Sequence, residues 1–400
     1  MGKKTTPSVI YFTLKGIVAG IFDTSVDLRR FQRIWKMIQG KVGCVVKTPF
    51  FRSGGQNLRQ FMTSPVLLKP RKQKHLSESI LNDRKSIAER EIEVGVLLDN
   101  THQLLLNSNG NLEPVGTALD GLFGRLNEQR LSCTPEQWQM LIKICRSHPL
   151  LSTIHEDPFT GRAFAKPRGY AGDAELIDLI YGPEDRVPEP TATPLGLDIY
   201  RYNSSAPAAE GVRARRGFIA DLIDTTSNEK PGQHILAIAA GHLREANLTT
   251  AVRRGRIGRF VALDSDPISL KEVERAYGSY GVETVPASFG VLLTNRLQIG
   301  TFDLIYSTGL FDYLNVNTGR RLVTTMFDML NPGGQLVVAN FLPGIRDIGF
   351  MEAFMDWKLI YRTRQDMVDL TAEIDESEIG HLSLFAEENQ NIIFLRITKK

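Results

Sequence analysis

The chain has 400 residues, 42% of them hydrophobic and 23% charged, which suits a globular protein with more than one small core. Its three cysteines, Cys44, Cys133 and Cys145, form no CxxC pair, which argues against a disulfide framework and for a reducing, cytoplasmic compartment. The net charge of +3 hides an asymmetry: residues 1–75 hold 15 Lys and Arg against two acids, Asp23 and Asp27, whereas the rest holds 33 basic and 43 acidic residues.

The basic segment 1–75 is suited to an anionic partner, or else lies against the acidic body of its own chain. Its apolar run Val9–Phe22 is interrupted by Lys15 and falls short of the roughly 20 residues that span a bilayer, so no transmembrane segment is expected. Leu28–Ile38 reads as a helix, Val42–Val46 as a short strand, and Ser53-Gly54-Gly55 and Pro65–Pro70 as loops. Residues 76–182 form a helical region. Ile87–Leu98, Val115–Leu126 and Pro135–Arg146 keep a helical period, the last opened by Thr134 as cap and Pro135 at the first position. Residues 183–230 carry Pro183, Pro188, Pro190 and Pro194 in an extended connector, then a helix over Ala208–Asp224.

From 231 to 400 the rhythm becomes alternating strands and helices. His234–Ala239, Phe260–Leu263, Thr284-Val285, Phe302–Tyr306 and Gln335–Ala339 read as strands, and Arg244–Arg254 and Ile268–Tyr277 as helices between them. Gly380–Glu387 and Ile392–Thr398 read as a closing hairpin. The alternation predicts a doubly wound, mainly parallel sheet.

The first strand leads into Ala239-Ala240-Gly241-His242-Leu243-Arg244-Glu245, whose small residues let a ligand approach the backbone. Asp264 ends the next strand 23 residues after Gly241, where a carboxylate can accept both hydroxyls of a ribose. Each feature has a plainer reading: an ordinary strand-to-helix turn, and a cap for the following helix. The seven histidines show no metal-ligand spacing, so no metal is expected.

The closing hairpin and the turn Asn331-Pro332-Gly333-Gly334 resemble the class I S-adenosylmethionine-dependent methyltransferases. That resemblance implies a Rossmann-like α/β sheet of seven strands, the last antiparallel, behind a mainly helical N-terminal region. A narrower likeness rests on Lys166-Pro167-Arg168-Gly169-Tyr170-Ala171-Gly172-Asp173, Gly309-Leu310-Phe311-Asp312-Tyr313-Leu314 and Trp357-Lys358-Leu359-Ile360-Tyr361-Arg362, in that order. These resemble bacterial methyltransferases of extracellular-factor, or 3-hydroxypalmitic acid methyl ester, biosynthesis over roughly residues 135–400. Ala237, Ala239 and His242 depart from that family, which has an acid, a glycine and commonly a proline there.

The resemblance implies S-adenosylmethionine as cofactor. Ala239, Gly241 and Glu245 would surround its methionine part, Asp264 its ribose, and Ser265, Ser288 and Phe289 its adenine. Ser307, Gly309 and Leu310 would lie beneath the sulfonium. The 166–173 stretch reads as a lid loop carrying Tyr170 and Asp173, or as a plain turn between helices. Asp312 and Tyr313 are candidates for a polar pair facing the methyl group, and Phe311 or Tyr313 for a cation–π contact with the sulfonium. Trp357, Tyr361 and Arg362 fall on one helical face, and Arg362 suits a carboxylate.

The expected reaction is methyl transfer to a small-molecule acceptor. The candidate bases Asp312, Asp173 and His242 show no orienting partner in sequence, which favours a carboxylate acceptor such as a hydroxy fatty acid. The alternatives are N- or O-methylation in natural-product biosynthesis and a binding protein that has lost catalysis. A nucleic-acid substrate is not expected, because Ser307-Thr308-Gly309-Leu310 differs from the Asn/Asp-Pro-Pro-aromatic motif of base amino-methylating enzymes.

Overall fold

The computed structural model describes residues 85–108, 111–182 and 191–400. The expectations for residues 1–84, including the helix at Leu28–Ile38 and the strand at Val42–Val46, lie outside the described residues, as do Pro183, Pro188 and Pro190. Ser86–Lys400 forms one compact unit.

Its first part is helical: α1 (Ile87–Leu106), α2 (Leu112–Ser132), α3 (Pro135–Ser147), α4 (Leu150–Ile154), α5 (Pro158–Ala165), α6 (Ala174–Tyr181), α7 (Pro194–Ser204) and α8 (Pro207–Glu229). Local chemistry sets the starts. Ser86 with Glu89 and Thr134 with Gln137 form reciprocal capping boxes at α1 and α3. Pro194, expected in the connector, instead opens α7 at its first turn, with Thr193 as cap. Among the described residues no helix is long and apolar enough to cross a membrane.

The sheet follows: β1 (His234–Ile238), α9 (Thr250–Arg253), β2 (Arg259–Asp264), α10 (Pro267–Tyr277), β3 (Val282–Pro286), α11 (Gly290–Leu293), β4 (Phe302–Ser307), α12 (Val316–Asp328), β5 (Leu330–Phe341), α13 (Ile348–Phe354), α14 (Arg364–Asp369), β6 (Ile379–Ala386) and β7 (Ile392–Lys399). The seven strands lie in the order β3-β2-β1-β4-β5-β7-β6. β1 to β5 pair in parallel, and β7 runs antiparallel between β5 and β6. Strands covered on both faces read as unbroken apolar runs, and Ile235 to Ile238 are no more than 1% exposed. Their side chains alternate between two cores. Ile235 and Ala237 join Ile219 and Ile223 of α8, while Leu236 and Ile238 join Leu322, Met326 and Phe327 of α12.

Two expected helices take other forms. Arg244–Arg254 breaks into a 3-10 turn at Arg244–Asn247 and the short α9. The helix restarts at Thr250 because the Asp224 carboxylate of α8 accepts from the amides of Thr250 and Ala251 at 2.9 and 2.8 Å. Residues 357–363 form an extended strap rather than a helix. The Ile360 amide donates to the Asp312 carbonyl at 2.7 Å, and the Arg362 amide to the Phe341 carbonyl at 3.0 Å. Neighbouring backbone thus supplies the hydrogen bonds a helix would have made internally.

The helical part is fastened to the segment after β5. Glu352 accepts from the Trp138 indole at 2.6 Å and from Arg130 at 3.0 Å. Asp356 pairs with Arg146 at 2.7 Å and with Lys166. These contacts hold the 166–173 loop near the carboxyl ends of the strands.

Candidate functional site

A cavity of about 400 Å³ opens where β1 and β4 diverge. In a doubly wound sheet this is the point where strand order reverses and helices leave on opposite faces. Its floor is the turn after β1. Ala239, Gly241 and Leu243 all have left-handed backbone, with φ of 54°, 54° and 51°. Glycine adopts this region freely, whereas a Cβ is strained there. Gly241 meets that demand and Ala239 does not. The coiled turn exposes amides, and the Gly241 amide donates to Asp264 Oδ2 at 2.8 Å. Asp264 Oδ1 accepts from the Asp266 amide at 2.8 Å. Burial raises the Asp264 carboxyl above its ordinary range, against the pull of these amides.

Ala239, Gly241, Glu245, Asp264, Ser265, Gly309 and Leu310 all line the cavity, as do Tyr170, Asp312 and Tyr313. Glu245 is fixed by a 2.6 Å hydrogen bond from the Tyr306 hydroxyl, and burial raises its carboxyl. The 166–173 loop covers the Asp264 side. Arg168 pairs with Asp266 at 2.5 Å and with Glu175. A Cβ on Gly172 would lie 2.6 Å from the Tyr313 hydroxyl and 2.8 Å from the Trp357 ring. Only glycine lets the loop approach so closely.

Asp312 is 3% exposed. Its Oδ1 accepts from the Phe341 amide at 2.8 Å, and its Oδ2 lies 3.9 Å from Arg215 Nη1. Burial pushes its carboxyl up to about 7. The Tyr313 hydroxyl accepts from the Trp357 indole at 2.8 Å.

Several expected site residues serve the frame instead. Asp173 is fully buried, caps α6 through Leu176 at 2.8 Å, and holds Arg162 in a two-pronged pair at 2.9 and 2.8 Å. Both its oxygens are committed, and it does not line the cavity. Arg362 is also buried behind the cavity wall. Its guanidinium donates to the Phe311 and Leu314 carbonyls and to Asn340 Oδ1, stapling the 311–314 turn to the end of β5. Ser307 donates to the Ile238 carbonyl at 2.9 Å, clipping β4 to β1, and Thr308 takes its place in the wall. Ser288 and Phe289 follow β3 outside the cavity, with Phe289 packed on the second core. Phe311 is wholly buried in that same core.

Sequence reading missed two groups. Arg215 of α8 is 6% exposed and lines the cavity beside Gly309. Its Nη1 donates to the Thr308 carbonyl, and among the described residues Asp312 is its nearest acid. The signal was present: Val212, Arg215, Ile219 and Ile223 share one buried helix face, so an arginine sits in an apolar stripe. The second group is Asp178 of α6. It accepts from Arg244 at 2.8 and 2.6 Å and meets His242 Nδ1 at 2.8 Å. His242 therefore does have an orienting carboxylate, 64 residues away in sequence.

The strand order, the antiparallel β7 and a cavity at the β1–β4 divergence define a Rossmann-like sheet of the class I methyltransferase kind. No protein-family model matches the chain, and no curated sequence does. Among solved structures, a possible exported protein from Bordetella parapertussis is 17% identical with a TM-score of 0.46, over 57% of this chain and 79% of that one. Magnesium protoporphyrin IX methyltransferase from Synechocystis PCC 6803, with bound S-adenosylmethionine, is 10% identical with a TM-score of 0.35, over 48% and 84%. The N-methyltransferase NodS from Bradyrhizobium japonicum WM9, in complex with S-adenosylhomocysteine, is 16% identical with a TM-score of 0.35, over 49% and 89%.

Proposed function

We propose that the chain is an S-adenosylmethionine-dependent methyltransferase that esterifies a carboxylate of a small acceptor, such as a hydroxy fatty acid or a related metabolite. The cavity residues suit the cofactor. The left-handed turn at Gly241 leaves backbone close to any ligand there, and Asp264 keeps a carboxylate lone pair for a ribose hydroxyl beyond its contacts with the Gly241, Ser265 and Asp266 amides. Ser265 lies beside Asp264 on the adenine side, and Thr308, Gly309 and Leu310 flank the reacting centre. Bound S-adenosylmethionine supplies a methyl group on a positively charged sulfur.

The observation that carries the carboxylate reading is Arg215. The buried Arg215 guanidinium has one acid within 4 Å, Asp312 at 3.9 Å, with Glu245 acting on it from farther off, so no carboxylate of the described residues closes a hydrogen-bonded pair with it. An acceptor carboxylate closes such a pair in bidentate geometry. A carboxylate is nucleophilic at neutral pH and needs no general base. Tyr170 and the Gly172 loop then exclude water, and Arg215 sets the line of approach.

One observation favours a second reading. His242, aligned by Asp178, resembles an oriented base, and an acceptor hydroxyl or amine would use it. The test is incubation with methyl-labelled S-adenosylmethionine and a panel of carboxylic acids, reading label released as methanol by mild alkali. Base-labile label that falls at least tenfold in Arg215→Met, with S-adenosylhomocysteine affinity unchanged, supports carboxyl methylation. Base-stable label lost in His242→Gln instead selects the second reading. If Arg215→Met lowers S-adenosylhomocysteine affinity, the guanidinium serves the cofactor's own carboxylate and the acceptor assignment fails.

A further inference from the structure

Behind the main cavity lies a second, smaller one of about 30 Å³. Val212, Phe341 and Trp357 line both, so these three side chains form the partition. The far wall is apolar, built largely by Phe350, Met351 and Met355. Two polar side chains break that lining, Asp347 and Asn203, at 2% and 3% exposure.

Each has one polar atom engaged, Oδ2 of Asp347 and Nδ2 of Asn203, and one oxygen left over. Asp347 Oδ2 accepts from the Ala208 amide at 2.7 Å, whereas its Oδ1 is buried with no hydrogen-bond partner. Asn203 Nδ2 donates to Asp157 and Thr160 at 2.8 and 3.0 Å, whereas its Oδ1 is buried with no partner. A buried acceptor without a donor loses its hydration and gains nothing in exchange, and the loss is greater when it is charged. Two in one apolar pocket form an uncompensated site, and both need the same thing, an N–H or O–H group.

We infer that this pocket is the distal subsite for the methyl acceptor and takes a hydroxyl or ammonium group carried on an apolar body. The inference rests on the reading that the neighbouring cavity holds the acceptor. Arg215 then fixes the carboxylate end in the main cavity, while Asp347 and Asn203 receive a donor past the Trp357 partition. The present space admits a group the size of a water molecule. Met351 and Met355 have the adaptable side chains needed to admit the adjoining carbons. Acceptors without a remote donor leave the two oxygens unpaired, so the subsite selects against them.

The probes are straight-chain carboxylic acids of graded length, each unsubstituted, ω-hydroxylated and ω-aminated, titrated calorimetrically into the full chain. A hydroxylated or aminated acid of one favoured length should bind at least tenfold tighter than its unsubstituted analogue, and which of the two wins identifies the donor. Asp347→Asn keeps an acceptor for the Ala208 amide but replaces the free oxygen with a donor, so the advantage should vanish. Met351→Phe, which fills the pocket, should abolish it independently. Affinity for S-adenosylhomocysteine should be unchanged in both variants, and its loss in the unaltered chain would mark failure of the methyltransferase reading instead. The subsite is overturned if no substituted acid gains at any length, as a trapped water would give, or if the gain survives both variants.

Discussion

The Arg215 guanidinium lies 3.9 Å from Asp312 Oδ2, a buried cation and a buried acid that do not close into a hydrogen-bonded pair. A carboxyl raised on folding stabilises the fold below its unfolded pKa, and this contribution is lost as pH climbs through the folded value. For Asp312 the window runs from the ordinary value of 3.8 to about 7. Asp157 and Asp347, both pushed up to about 6 by burial, act in the same direction. Unfolding free energy should therefore fall across this window, at roughly 1.4 kcal/mol per pH unit for each full proton lost. Denaturant melts at a series of pH values check this, and Asp312→Asn should flatten the slope near its upper end. A slope unchanged in that variant would remove Asp312 as a raised acid.

Ala239 carries a Cβ at a φ of 54°. The left-handed strain of about 1–2 kcal/mol exceeds the entropic cost of glycine, so Ala239→Gly should raise stability by about 0.5–1 kcal/mol. Thermal and denaturant melts measure it. Destabilisation would mean that the methyl group packs usefully in the turn.

Gly172→Ala should push the loop off Tyr313 and Trp357, since the new methyl would sit within 2.8 Å of both. Affinity for S-adenosylhomocysteine should drop roughly tenfold, about 1.4 kcal/mol, with little change in the melt. An unchanged affinity would separate the loop from the cavity's function.

Arg362→Met removes the donor to three buried oxygens. The expected cost is about 2–4 kcal/mol of stability. Had Arg362 faced the acceptor, the variant would instead raise KM in an otherwise stable protein.

Arg362 also marks where sequence reading ran out. The spacing of Trp357, Tyr361 and Arg362 fits a helix face, but periodicity does not register that Phe341 and Asp312 offer backbone partners to an extended strap. The strands were more legible. β1, β2 and β4 are buried on both faces, and their apolar runs state it directly, as the hairpin of β6 and β7 does by its turn. Gly241 and Asp264 are legible as neighbours because turn and strand end lie in fixed local relation, and they meet at the cavity floor. Asp178 and His242 were not paired, because only the packing of α6 against the turn brings them together. Asp173 and Ser307 have the chemistry of site residues, and their capping and clipping roles appear only with their partners in place.

The most direct measurement is calorimetric titration of the full chain with S-adenosylmethionine and S-adenosylhomocysteine, alongside Asp264→Ala. Asp264 orders the turn through the Gly241 amide and faces the cavity, so micromolar binding by the unaltered chain should weaken at least tenfold in the variant while the protein stays folded. Absence of binding by the unaltered chain, or equal binding by both, would contradict the assignment of this cavity to the cofactor.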